Sequence, residues 1–320
     1  MNELEKIDIL SLTKEELTAE ITAMGEKAFR AKQIYEWLHI KKVSDFSQMT
    51  NISAQFREEL LMEYKHGNSL CISTQVGCRM GCRFCASTIA GFVRHLLPSE
   101  MLLQVIETER DSGRHVDSIV LMGIGEPLDN YDNVLKFLTL MNSEGDGMSL
   151  RHISLSTCGV VPRIYDLAEL KTGLTLSISL HAATDERRSE IMPINRKYHL
   201  DELMKACRYY FDKTGRRISF EYSLIEGVND TEQSAQELIN LLGGMLCHVN
   251  LIPINEIRER DFRKSRSVER FQKRLCDAGI NATVRRTLGA DINAACGQLR
   301  RDDGMNEQGG TSDNTTGGEL

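Results

Sequence analysis

The chain has 320 residues, 41% hydrophobic and 27% charged, with 24 glycines and 5 prolines, a globular composition at a length for one large domain and a small one. Its formal charge of −7 does not mark a nucleic-acid binder, because residues 67–301 carry 30 bases against 29 acids, although a local basic face would be sufficient for one. No apolar run reaches the ~18 residues of a membrane span, and Met1-Asn2-Glu3-Leu4-Glu5-Lys6 is not a signal peptide, so a cytoplasmic chain with no membrane partner is expected.

Residues 1–66 are expected to form a helical accessory domain. Phe29, Gln33 and Trp37, with Ile34 and Leu38, stand at helical spacing, and Phe56, Leu60 and Leu61 suggest a further helix ending near Tyr64. Residues 67–301 read as the main domain, in which short apolar strands alternate with amphipathic helices. Strands are predicted at 118–122, 152–157, 174–180, 218–224, 248–253 and 282–285. Helices are predicted at 99–112, 133–141, 163–170, 200–213, 232–242 and 267–278. This alternation predicts an α/β fold, a parallel sheet with helices outside it, barrel-like or doubly wound, that binds ligands at its strand ends. Leu102, Leu103 and Ile106 are expected in the core, and Cys158, Cys207, Cys247 and Cys276 as packing residues. Residues 302–320, aperiodic and acidic, are expected to be disordered.

Nine cysteines is an odd number, and three fall within eight residues: Cys78-Arg79-Met80-Gly81-Cys82-Arg83-Phe84-Cys85. Thiolates ligate both zinc and iron–sulfur clusters. A closed zinc site takes four ligands, usually as two pairs. The chain has no second Cys-x2-Cys, and neither Cys71 nor His95 stands at finger spacing as a fourth ligand. Three cysteines on one tight loop suit a [4Fe-4S] cubane with one iron left open for substrate, with zinc as the alternative. Further on, Met122-Gly123-Ile124-Gly125-Glu126-Pro127 follows an apolar strand. Its glycines let the backbone approach a ligand, and its carboxylate can hold an ammonium group.

The cluster loop, with an aromatic residue before its last cysteine, resembles the signature of the radical S-adenosylmethionine (SAM) superfamily. Other segments narrow the resemblance. They include Cys71-Ile72-Ser73-Thr74-Gln75, Ser154-Leu155-Ser156-Thr157-Cys158-Gly159, Ser179-Leu180-His181-Ala182, Met192-Pro193-Ile194-Asn195, Gly227-Val228-Asn229-Asp230, Pro253-Ile254-Asn255 and Asp291-Ile292-Asn293-Ala294-Ala295-Cys296-Gly297-Gln298. In order along residues 25–301, these are similar to the dual-specificity ribosomal and transfer RNA adenine C2-methyltransferases (RlmN). The resemblance implies a partial (β/α)6 barrel, a [4Fe-4S] cluster on Cys78, Cys82 and Cys85, and two SAM molecules per turnover. It implies SAM contacts from Gly125, Glu126, Ser156, Ser179, Leu180, His181 and Asn255. Cys296 would carry the methyl group, and Cys71 would release the protein–RNA adduct through a disulfide with Cys296. The implied partners are 23S rRNA, tRNA and a flavodoxin-type electron donor; nothing in the sequence requires more than a monomer.

One departure stands out. Family members carry a β-rich stretch before the pre-cluster cysteine, and here the helical pattern from Phe56 runs almost directly into Asn68-Ser69. That stretch supplies a glutamate that removes the C2 proton, and Glu58 stands at the matching distance from Cys71. Two rival functions stay open: an adenine C8-methyltransferase conferring antibiotic resistance, and an Fe–S RNA-binding protein without methyltransfer activity. The run 258–274 holds eight bases against three acids, a solvated face or a phosphate contact.

Overall fold

The structure, a computed structural model, describes residues 7–9, 12–41, 43, 46–65, 68–142, 147–255, 259–285 and 298–299. Strand β1 (Ile7–Asp8) is followed by helices α1 (Lys14–Ala23), α2 (Phe29–Tyr35) and α3 (Ala54–Glu63), and β2 (Tyr64–Lys65) pairs in parallel with β1. α1 starts where Thr13 and Glu16 cap each other reciprocally: the Thr13 N–H donates to Glu16 Oε2 (2.8 Å), and the Glu16 N–H donates to Thr13 Oγ1 (3.2 Å). Leu17, Ile21, Ile34, Leu38, Phe46, Phe56 and Leu60 are buried together in one apolar cluster, separate from the core of the sheet. Phe29, from the apolar spacing of α2, is instead 52% exposed.

Next come β3 (Ser69–Cys71), a short antiparallel hairpin of β4 (Gln75–Val76) and β5 (Arg94–His95), and α4 (Pro98–Ser112). Then follow β6 (Ser118–Leu121), α5 (Tyr131–Met141), β7 (Ile153–Thr157), α6 (Val161–Glu169) and β8 (Thr175–Ser179). The chain continues through α7 (Asp185–Ile191), α8 (Leu200–Thr214), β9 (Ile218–Leu224), α9 (Glu232–Leu242), β10 (Cys247–Pro253), α10 (Val268–Asp277) and β11 (Asn281–Val284). The main sheet has seven strands in the order β3-β6-β7-β8-β9-β10-β11, every pair parallel. It is curled and open, an α/β half-barrel. The six predicted strands are all present. The seventh, β3, and helix α7 carry too few residues to show a period.

Alternation along the strands separates two environments. Ile153, Leu155, Leu176, Ile178, Phe220, Tyr222, Val249 and Leu251 join helix residues such as Phe137, Ile164, Leu203 and Leu238 in the main core. The intervening positions are polar: Ser154, Ser156, Ser177, Ser179, Ser219, Glu221, Ser223, His248 and Asn250. They bond to one another across strands, as in Asn250 Nδ2–H to Glu221 Oε2 (2.8 Å) and His248 Nε2 with Thr283 Oγ1 (2.9 Å). The concave face is therefore a polar lining around open space, unlike a barrel filled by branched side chains.

The helices pack with one stripe each. On α4 that stripe is Met101 and Val105, while Leu103 and Ile106 are 49% and 45% exposed, so the expectation that they lie in the core is corrected. Leu102 is partly buried against the core. Cys276 is likewise exposed on α10, whose buried face is Phe271 and Leu275; Cys158, Cys207 and Cys247 are buried as expected. No helix among the described residues is long and apolar enough to cross a membrane.

Ile178, fully buried at the centre of the sheet, and Leu246, 67% exposed, give a direct contrast. Chemical denaturation should show Ile178→Ala costing about 2–5 kcal/mol and Leu246→Ala less than about 0.5 kcal/mol.

Candidate functional site

A cavity lies where the carboxyl ends of the strands meet the loop after β4, with about 1020 Å³ of empty space including its mouth. Cys78, Cys82 and Cys85 line one wall. Gly77 makes the entry into their loop possible: its φ is +75°, and a Cβ there would stand 1.8 Å from the Gly91 carbonyl oxygen. The loop is held by Thr88 Oγ1, which donates to the carbonyls of Cys82 (3.2 Å) and Cys85 (2.9 Å), and by the Arg83 N–H to Ile191 O (2.9 Å). Burial pushes the Cys78 thiol up to about 12 and raises Cys82 and Cys85 as well, so the free thiols hold their protons. A cubane gives each cysteine a different iron, so three thiols on one loop at the cavity wall fit a [4Fe-4S] cluster with one iron left open.

Opposite the loop, the turn after β6 brings Gly125 and Glu126 to the cavity. Gly125 has φ +112°, and a Cβ on it would strike the Gln75 side chain at 2.6 Å. Glu126 is buried. Its Oε1 accepts the Leu128 N–H (3.0 Å) and its Oε2 the Cys158 N–H (2.8 Å), while burial raises its pKa. A buried carboxylate so fixed is aimed rather than neutralised by a salt bridge, and a ligand ammonium would complete it.

The adjacent strand ends supply hydroxyls and an imidazole. Ser156 Oγ and Ser179 Oγ stand 3.4 Å apart, and both line the cavity with His181 and Asn255. His181 is a non-glycine residue in the left-handed region, at φ +56°. Its Nδ1 accepts the Ser223 N–H (2.9 Å), which leaves the ring proton on Nε2, and its ring meets Phe84 edge-on at 4.7 Å. Leu180 is fully buried and outside the lining; its carbonyl is engaged below the cavity. Cys71 is exposed at the end of β3, opposite Val120. Glu58 stands on α3, and its side chain and all of Cys296 lie outside the described residues, as do residues 302–320. The described cysteines are all free thiols.

Three participants were not apparent in the sequence. Arg188, 1% exposed, donates to the carbonyls of Leu180 (3.1 Å), Cys158 (2.7 Å) and Ser179 (3.2 Å) and to Asn195 Oδ1 (2.9 Å). In Asp185-Glu186-Arg187-Arg188 it reads as part of a charged surface turn. Glu221 lines the cavity floor, and Arg285 reaches across from the end of β11 to Met122 Sδ (3.4 Å), 4.0 Å from Glu221 Oε2. Only the curl of the sheet brings these three near the cysteines.

Comparison with known proteins decides the family. Residues 72–240 match the radical SAM superfamily, and residues 7–64 match the ribosomal RNA large subunit methyltransferase N-terminal domain. A dual-specificity RNA methyltransferase RlmN of Lachnoclostridium phytofermentans is 50% identical over 93% of this chain and 95% of its own length. The chain belongs to the RlmN family of radical SAM proteins.

An RlmN of Clostridium perfringens is 49% identical over 92% of this chain and 96% of the relative. A radical SAM methyltransferase of Sphaerobacter thermophilus has a solved structure that superposes with TM-score 0.70 at 36% identity, covering 91% of this chain and 98% of that one. RlmN membership implies SAM and a [4Fe-4S] cluster as cofactors, which the donor set above fits. The first alignment runs over 338 positions although this chain has 320 residues, so this chain lacks residues that the relative has.

Burial holds the His181 pKa down to about 3 from the usual 6.5, with the Arg188 charge adding to the effect. The folded state therefore keeps His181 neutral while the unfolded chain takes up a proton below about pH 6.5. Stability is present above that pH and falls by up to about 1.4 kcal/mol per pH unit as pH drops toward 3. Denaturation midpoints measured from pH 7 to 4.5 should decline less steeply in His181→Gln than in the wild type.

Proposed function

We propose that this chain methylates C2 of adenosine in 23S rRNA and in tRNA. The observation that carries the reading is the meeting, in one cavity, of the three-cysteine loop with Gly125, Glu126, Ser156, Ser179, His181 and Asn255. Adenine C2 is an electron-poor aromatic carbon with no lone pair to attack a sulfonium, so polar methyl transfer is closed to it. When bound, the cluster and SAM supply a 5′-deoxyadenosyl radical by one-electron reduction of the sulfonium, which opens the radical route.

The chain's own residues then have definite tasks. Cys78, Cys82 and Cys85 would hold the cluster and leave it one open position for SAM. Glu126, fixed by two backbone N–H groups, would accept a hydrogen bond from an N–H of the SAM amino group. Ser156, Ser179, the segment Leu180–His181 and Asn255 hold the rest of the cofactor. Cys296 receives a methyl group from a first SAM and presents it to the base. Cys71 resolves the protein–RNA adduct through a disulfide with Cys296. Glu58 is the candidate for removing the C2 proton. A flavodoxin-type protein is proposed as electron donor to a cytoplasmic monomer. Its proposed domains are a helical accessory unit (1–66), a radical SAM domain (67–301) and an acidic tail (302–320).

RNA docking is assigned to the basic segment before α10. Arg263 and Lys264 are exposed, and this segment is tied to the end of β9 by the Glu226 N–H to Arg263 O (3.0 Å) and a bridge from Ile225 to Lys264. It thus borders the same end of the sheet as the cavity. Lys273 and Arg274 are paired with Asp277 and Glu232 and are less available to phosphates.

The deciding experiment is anaerobic incubation with SAM, reductant and unmodified 23S rRNA or tRNA, read by mass spectrometry of nucleosides. We expect 2-methyladenosine, and none from Cys296→Ala; 8-methyladenosine would identify the C8 chemistry instead. SAM cleavage without any methylated nucleoside from either RNA would sink the proposal. Replacing Arg263 and Lys264 by alanine should weaken RNA binding and lower the slope of log K against log salt by about 1–2. An unchanged slope would remove that segment from the interface.

A further inference from the structure

Glu221 and Arg285 line the cavity and have no task in the reaction described above. Arg285 stands just past β11, at one edge of the open sheet. Its side chain crosses to Met122, just past β6 and next to the opposite edge strand β3. Among the described residues the guanidinium has one hydrogen-bond acceptor, the Met122 sulfur at 3.4 Å, which is a weak one. Glu221 Oε2 lies 4.0 Å away, beyond hydrogen-bond length, and accepts the Asn250 Nδ2–H at 2.8 Å. Glu221 Oε1 meets the Ser219 hydroxyl at 3.4 Å. The guanidinium therefore has N–H groups to give, and the buried carboxylate has room to accept.

A donor beside an acceptor complements a ligand edge with an acceptor beside a donor. Adenine has such an edge, where N1 accepts and the N6 amino group donates. Guanine and uracil present the reverse pattern. Enzymes that act on a base draw it out of the stack and read its Watson–Crick edge inside the pocket.

We infer that Arg285 and Glu221 read the target adenine by this edge, Arg285 donating to N1 and Glu221 accepting from the amino group. The inference rests on the proposed methylation of adenosine. Cys71 brings the base to this side of the cavity, because a thiol that resolves an adduct at C2 must come close to C2. The Arg285 charge acts on that same thiol, at the end of β3. N1 also adjoins C2, so a guanidinium bonded there draws electron density from the carbon under attack. SAM carries an adenine with the same edge, and the test has to separate the two.

The full-length protein, cluster-loaded and anaerobic, is titrated in the presence of SAM and without reductant with synthetic RNA hairpins. Their uridine loop holds one adenosine, one 1-deazaadenosine, which lacks N1, or one purine riboside, which lacks the amino group. Fluorescence anisotropy gives the affinities for the wild type, Arg285→Met and Glu221→Met, and equilibrium dialysis gives the SAM affinity of each. Glu221→Gln, which keeps an oxygen for Asn250, stands in if Glu221→Met does not fold. Losing either base contact should weaken wild-type binding about five- to hundredfold. Arg285→Met should no longer distinguish 1-deazaadenosine from adenosine while still rejecting purine riboside, and the Glu221 variant should do the reverse. A packing fault weakens all three hairpins alike and cannot produce that crossed pattern.

Equal wild-type affinity for the three hairpins would overturn the inference, and so would variants that keep the wild-type ratios. A loss of SAM affinity with unchanged hairpin ratios would give the pair to SAM's adenine and overturn its assignment to the target base. If neither 23S rRNA nor tRNA yields a methylated nucleoside, the functional reading fails, and the hairpin ratios still decide whether the pair reads adenine.

Discussion

A buried guanidinium holds the cavity open. Arg188 is almost without solvent, and its hydrogen-bond acceptors are three backbone carbonyls and one amide oxygen. A cation in that position is tolerable only because each of its contacts is charge-assisted and together they replace its hydration. The carbonyls belong to Cys158, Ser179 and Leu180, at the ends of β7 and β8. Drawing them to one point fixes how those two strands end, and with them Ser156, Ser179 and His181. The Cys158 N–H in turn donates to Glu126, so the aim of the carboxylate depends on the same arginine. Asn195 closes the arrangement, since its amide bonds both to Arg188 and to the Asp185 carboxylate that begins α7.

The half-barrel divides its chemistry by strand face. Phe220, Tyr222, Ile178 and Leu251 are buried with the helices and contribute the burial that stabilises the sheet. The facing positions are small and polar, and their mutual hydrogen bonds satisfy groups that would otherwise be costly in a dry interior. Space for a cofactor as large as SAM follows from that choice. Branched side chains at Ser156, Ser179 and Ser223 would fill the hollow that a barrel of this curvature leaves.

The N-terminal region has its own apolar cluster, running from Ile9 to Leu60, and its strand β1 closes on β2 just before the sheet begins. The alignment with the Lachnoclostridium relative runs over 338 positions, more than the 320 residues of this chain, so the chain lacks residues that the relative has. Loop length is a tolerant variable because closing a longer or shorter connection changes chain entropy only slowly. The position of a ligand-bearing turn such as 123–126 is not tolerant, since Gly125 has no room for a side chain against Gln75.

What the sequence determined by itself was local: the three-cysteine spacing, the glycine-rich turn before Glu126, and the six alternating strands with their helices. These are fixed by thiolate chemistry, backbone sterics and hydrophobic periodicity over fewer than about twenty residues. Leu103 and Ile106 show the limit of periodicity, because which part of an apolar stripe is covered depends on how α4 lies on the sheet. Arg188, Glu221 and Arg285 could not be read from their neighbours, as nothing in a short window distinguishes a buried charge from a solvated one. Ser87 Oγ donates to the Leu299 carbonyl 212 residues away, and only the curl of the sheet makes them partners. The tertiary structure decided which polar residues share one desolvated space, because desolvation belongs to the packed assembly and not to any segment of chain.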